Sequence, residues 1–193
     1  MSATTYARES THRHQPLLFA AAVALVVTGC VTLTPQQQNI VAEIQGFADA
    51  TAAHYQVSRV GIVIEPATNL GIGARYQRGH CYVNVRMLGS RALTVIVAHE
   101  LAHYVLGHDI PVAGASMGEF QRAQELRELD ANAKAVEILT RVKGMTQREA
   151  VQLIVSYLTG AQRIQDSGGA RAWGHRAPIE EIADLLGRFP DSR

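Results

Sequence analysis

His99-Glu100-Leu101-Ala102-His103, continued by Tyr104-Val105-Leu106-Gly107-His108, is the stretch on which the reading of this chain turns. Ahead of it, residues 91–98 read RALTVIVA, with no proline and no glycine, and the apolar pattern runs on through Leu101, Val105 and Leu106. The spacing predicts one buried helix. Residues four apart on a helix lie nearly above one another, so His99 and His103 aim two imidazoles at one point and can share a metal ion. Glu100 is rotated off that line: it can reach a water on the metal but is badly placed to be a ligand. Zinc with two histidine ligands keeps room for a third protein ligand and a water whose pKa it lowers towards neutrality. The expectation is one Zn2+ per chain, with Glu100 as general base. A pattern with three fixed positions also arises by chance, from histidines merely satisfied in a core, so helix context and a third ligand must carry the rest.

The nearest carboxylates are on a second predicted helix, from Glu119 to about Val142, with Phe120, Leu126, Leu129, Ala133, Val136 and Leu139 among its apolar positions. Glu119, Glu125, Glu128 and Asp130 all compete there, and the residues alone do not choose between them. His99-Glu100-Leu101-Ala102-His103, His108 five residues on, and Glu128-x-x-Ala131-Asn132 together resemble the H-E-x-x-H-x-x-x-x-H and E-x-x-A-D pattern of the small gluzincin endopeptidases related to the CAAX prenyl protease and HtpX. The resemblance implies Glu128 as the third zinc ligand, with Glu125, one turn earlier, as the alternative. It implies a supporting, non-ligating role for His108. Asn132 departs from the pattern, standing where the family has an aspartate that orients a zinc ligand; asparagine still accepts a hydrogen bond but carries no charge. The same E-x-x-A-N form resembles the ImmA/IrrE-type regulatory peptidases. Further on, Gly174-His175-Arg176-Ala177-Pro178, followed by Glu180, Glu181 and Ile182, resembles a stretched form of the family's H-P…E-R-I segment. That implies His175 reaching the cleft as a donor to the oxyanion, against the plainer reading of a surface histidine before a helix. The resemblance spans about residues 90 to 190, and the family's transmembrane helices have no counterpart here.

The first 29 residues read as a leader. Arg8, His12, Arg13 and His14 precede LLFAAAVALVV at 17–27, an apolar core short for a permanent anchor. Val27-Thr28-Gly29-Cys30 resembles the bacterial lipobox, which implies lipidation of Cys30, a tether on the periplasmic face of a bacterial membrane and, with Val31 next, sorting to the outer membrane. The division expected is therefore a signal peptide at 1–29 and one metallopeptidase domain at 30–193. Cys81 is then without a disulfide partner and reads as a small buried residue, its neighbour His80 pointing to the opposite strand face. Composition is globular, 47% hydrophobic and 18% charged. Net charge is +1, and beyond residue 29 acidic and basic residues balance, so nothing points to nucleic acid.

Pro35 opens a predicted helix running to about Tyr55, with Ile40, Val41, Ile44, Phe47 and Ala48 apolar and His54 a surface or capping residue near its end. Val60–Ile64 and Cys81–Met87 read as strands of a hairpin or a three-stranded sheet, with a turn at Gly71-Ile72-Gly73. Tyr82–Arg86 is the expected sheet edge for an extended peptide substrate. Asp109–Gly118 reads as a loop, Thr146 to about Leu158 as a helix opened by a capping box with Glu149, Ser167–Gly169 as a linker and Pro178–Leu186 as a last helix. The whole predicts an α+β zincin-like domain: a small sheet, an active-site helix and a second helix bearing the third ligand. The expected function is a tethered zinc endopeptidase acting on protein or peptide substrates of the cell envelope. Its rivals are a non-catalytic zinc lipoprotein that binds or chaperones envelope proteins, and a regulatory peptidase of the ImmA/IrrE kind, against which the lipobox weighs.

Overall fold

The computed structural model describes residues 31–68, 73–108, 116–169 and 174–192, and the statements below concern these. The expected leader, Cys30, most of the Gly71–Gly73 turn and most of the loop after the motif lie outside them.

The described residues form a mixed α+β fold. Helix α1 (Pro35–His54) begins on a reciprocal cap, Thr34 accepting from the Gln37 N–H while the Gln37 side chain returns to the Thr34 N–H. Three strands follow, β1 (Gly61–Glu65), β2 (Ala74–Gln77) and β3 (His80–Asn84). They pair in the order β1-β3-β2, β1 parallel to β3 and β2 antiparallel to it. The β2–β3 turn has two residues, Arg78 and Gly79, both at positive φ (49° and 78°), the geometry a tight hairpin needs to follow the strand twist.

This order corrects the expected edge. Tyr82 and Val83 lie in the central strand, and the chain leaves β3 at Asn84 into a 3-10 turn (Val85–Gly89), capped by the Asn84 side chain accepting from the Arg86 N–H at 3.0 Å. An alternating apolar run fits a central strand as well as an edge, so alternation could not tell them apart. The edge beside the site is β2, which has no apolar signature of its own.

Helix α2 (Leu93–Val105) carries the motif and contacts α1, β2, β3 and two helices that follow it, α3 (Met117–Lys143) and α4 (Gln147–Asp166). Leu93, Val95, Ile96, Val97, Ala98, Leu101 and Ala102 of α2 are all buried. α3 starts two residues before its predicted Glu119, capped by Ser116 with Glu119 in a capping box, and ends at Gly144, whose φ of 71° closes the helix in the left-handed region. α4 runs a further two turns past Leu158. α5 (Pro178–Arg188) packs on α3 and α4. Among the described residues no helix is long and apolar enough to cross a membrane.

Leu139, fully buried on α3 in the cluster shared with α2, tests this packing. Leu139→Ala is expected to cost about 2–5 kcal/mol, read as a lower midpoint in urea unfolding. A shift below about 0.5 kcal/mol would place that face of α3 outside the core.

Candidate metal centre

His99 and His103 project from one face of α2, and Glu128 faces them from α3. The His99 Nε2 lies 3.0 Å from the His103 Nε2 and 2.9 Å from the Glu128 Oε2, which is 3.3 Å from the His103 Nε2. Ligand atoms about 2.0–2.1 Å from one zinc ion in a tetrahedron stand about 3.3–3.4 Å apart. The three atoms therefore lie a few tenths of an ångström inside the spacing that one small divalent cation sets. Two imidazoles and a carboxylate are also a zinc-like donor set. Among the described residues this is the one group of three or more metal-ligating side chains.

Of the four competing carboxylates only Glu128 reaches the imidazoles. Glu119 caps α3, Glu125 lies 3.7 Å from the Arg176 guanidinium and accepts from Gln121, and Asp130 accepts from Arg188 at 2.8 Å.

The far nitrogen of each ring is engaged as well. The His99 Nδ1–H donates to the Asn132 Oδ1 at 3.0 Å, and the His103 Nδ1 meets the His108 Nδ1 at 3.0 Å. Burial, then His103 and Arg127, push His108 down to about 4, so the neutral ring accepts the His103 proton. Both rings thereby keep Nε2 turned to the point where a metal could sit. Asn132 and His108 thus each face the far nitrogen of one of the two rings.

Charge in the centre is set by the partners, against the effect of burial. Burial lowers His99, but the Glu128 hydrogen bond and charge, with Glu100 and Glu181 behind it, outweigh this and raise it to about 9. Burial raises Glu128, and the two imidazoles reverse that, holding it well below the usual carboxylate range. The electron pairs that attract a proton so strongly are those a divalent cation would take, displacing the proton.

Glu100 is not part of that three-residue group but lines the same cleft. Its Oε2 accepts from the Tyr76 backbone N–H of β2 at 2.6 Å, which ties the motif helix to the sheet edge. Between them opens a cleft of about 630 Å³, lined besides the histidines and carboxylates by Gly73, Ala74, Ile96, Tyr157 and Leu158.

His175 does enter this cleft. Its Nε2 is 3.4 Å from the Glu128 Oε2, its Nδ1 is 3.1 Å from the Glu181 Oε1, and its ring stacks on that of His99 with centroids 6.1 Å apart. Burial lowers it, and the Glu181 hydrogen bond with the charge of Glu128 more than restores it, leaving it above the ordinary histidine value. His54 stays at the end of α1 against the Tyr55 ring, and His80 is exposed while Cys81 is buried. Burial, with Glu100 nearby, pushes the Cys81 thiol up, so it is no reactive nucleophile.

Sequence reasoning missed two residues of the cleft. Tyr157, 39% exposed, sits on α4 with its phenol raised by burial and by Glu100, Glu181 and Glu128; the helical spacing of α4 gave no reason to single it out. Glu181 was noted only within the segment after His175, yet it is 1% exposed and accepts from the Asn132 Nδ2 at 3.0 Å.

Replacing Glu128 by Ala is expected to weaken zinc binding by about a hundredfold or more, whereas Glu125→Ala changes it by less than about threefold, as measured by competition with a chromophoric chelator. Equal losses in the two variants would contradict this ligand assignment. Compared with models of protein families, with curated proteins and with solved structures, the chain matches none, so its chemistry is read from its own residues.

Proposed function

We propose that this chain is a zinc-dependent endopeptidase with a zincin-like catalytic domain, and that it works on proteins of the cell envelope while tethered through lipidated Cys30. The observation that carries the catalytic part is the convergence of His99, His103 and Glu128 at one point beside Glu100, at the floor of an open cleft. A zinc ion held by those three residues would supply a Lewis acid that polarises the scissile carbonyl and acidifies water. The tether and the envelope location rest on the sequence pattern of the leader.

Glu100 is the general base in this reading. Its carboxylate takes a proton from the attacking water and passes it to the leaving amine. The 2.6 Å hydrogen bond from the Tyr76 N–H keeps that carboxylate at the junction of α2 and β2, where substrate and water would meet. His175 is the donor we assign to the developing oxyanion, since its ring borders the cleft and is anchored from behind by Glu181.

The β2 edge supports a peptide substrate. The Asn84 N–H donates to the Gly73 C=O, and Arg75 opposes Tyr82 two residues on, so alternate residues of β2 turn their backbone to β3. Ala74 turns its backbone the other way, beside the cleft, where the neighbouring Tyr76 N–H is held by Glu100. An extended peptide adding there as a further strand would carry its scissile bond past the centre.

Glu100→Gln, purified as the full chain and loaded with zinc to the same content as wild type, is expected to lower cleavage of an unfolded protein about a hundredfold to ten-thousandfold. Equal cleavage by the two proteins would reject Glu100 as the base. Zinc in both with cleavage by neither would favour a non-catalytic zinc lipoprotein that binds envelope proteins.

A further inference from the structure

Asn132 stands between the metal centre and the interior of the fold, and an asparagine there has an ambiguity that an aspartate lacks. Its amide accepts at one end and donates at the other. Only the acceptor end, turned to the His99 Nδ1, keeps that nitrogen protonated and leaves the Nε2 electron pair for a metal. Rotated half a turn, the same amide would offer N–H groups to Nδ1 and move the ring proton to Nε2, which cannot then ligate. Nothing in Asn132 makes that choice.

The neighbour on its other side does. Glu181 comes from the first turn of α5, is 1% exposed, and its Oε2 lies 3.0 Å from the Asn132 Nδ2. An ionised carboxylate only accepts, so the end of the amide that faces it must be the NH2. Its other oxygen lies 3.1 Å from the His175 Nδ1, which sets the orientation of that ring as well. One buried carboxylate thus orients two side chains that border the ligand cluster.

We propose that Glu181 is the positioning residue of this centre: it fixes the amide of Asn132, through it the ligating tautomer of His99, and it supplies from α5 the negative charge that position 132 lacks. This rests on the metal-centre reading above and deepens it. An aspartate at position 132 would carry that charge itself, and the same hydrogen bonds would then need a neutral donor at position 181. The double variant Asn132→Asp/Glu181→Gln keeps every bond and moves the charge by one residue. The His99 Nδ1–H then donates to the new carboxylate, the new amide donates an N–H to that carboxylate, and the amide carbonyl accepts from the His175 Nδ1–H.

That exchange is the test. Zinc dissociation constants are measured by chelator competition on the full chain as wild type, Glu181→Met, Asn132→Asp and the double variant, with a thermal melt of each. Glu181→Met is expected to bind zinc about 10- to 100-fold more weakly. Asn132→Asp alone should also weaken it, because two buried carboxylates then face each other. The double variant is expected within about threefold of wild type, a recovery that a role confined to docking α5 would not produce. A folded Glu181→Met with wild-type affinity overturns the proposal. If that variant does not fold, the double variant decides: near-wild-type affinity supports the role, and failure to fold or a loss beyond about tenfold overturns it. A wild-type chain that takes up no zinc removes the metal-centre reading and this role together. A zinc-binding wild type with unaffected variants removes only the role of Glu181.

Discussion

A part-buried carboxylate set among imidazoles is the constraint around which this protein is arranged. Isolated in the interior, the Glu128 charge would cost several kcal/mol. It is tolerated because two ring nitrogens stand within 3.3 Å of one of its oxygens. That arrangement requires α2 and α3 to pack at a fixed register, since a slip of one residue on either helix would swing a ligand away from the others. The buried apolar face of α2 and the small buried Ala131 and Ala135 of α3, which share one core cluster, hold that register.

Behind the three candidate ligands stands a layer of hydrogen bonds that orients them. His108 accepts from His103, and the Arg127 guanidinium donates to the His108 carbonyl at 3.0 Å, so the end of the motif is tied to α3. Asn132 and Glu181 hold His99 in the corresponding way, and Glu181 joins α5 to the centre. The Tyr76 N–H joins β2 to it through Glu100. The helix and the sheet edge therefore meet at the groups that would perform the chemistry, and a displacement of either element would be felt there as a change in orientation.

Legibility in the sequence followed the range of the interactions. The α2 helix, its two histidines and Glu100 were readable because four-residue spacing within one helix is a local property. Glu128 was reached only by resemblance, since Glu119, Glu125, Glu128 and Asp130 sit on one helix and the tertiary packing decides which of them meets α2. The sheet was readable as present but not as ordered: the alternating apolar residues of β3 mark a strand without saying that it is flanked on both sides, while the edge beside the site, Ala74–Gln77, has the plain sequence ARYQ. Glu181 and Tyr157 join the site from helices far along the chain. No spacing rule connects position 181 to position 132.

The central claim is that two imidazoles, one carboxylate and one non-protein position surround a single zinc ion. X-ray absorption at the zinc edge of the loaded protein tests it most directly. The account requires four nitrogen or oxygen neighbours at about 2.0–2.1 Å with the multiple scattering of two imidazole rings. A spectrum with three or more imidazoles would mean that a further histidine closes the position left for water. One with sulfur, or with no imidazole at all, would place the metal elsewhere and contradict the account at its root.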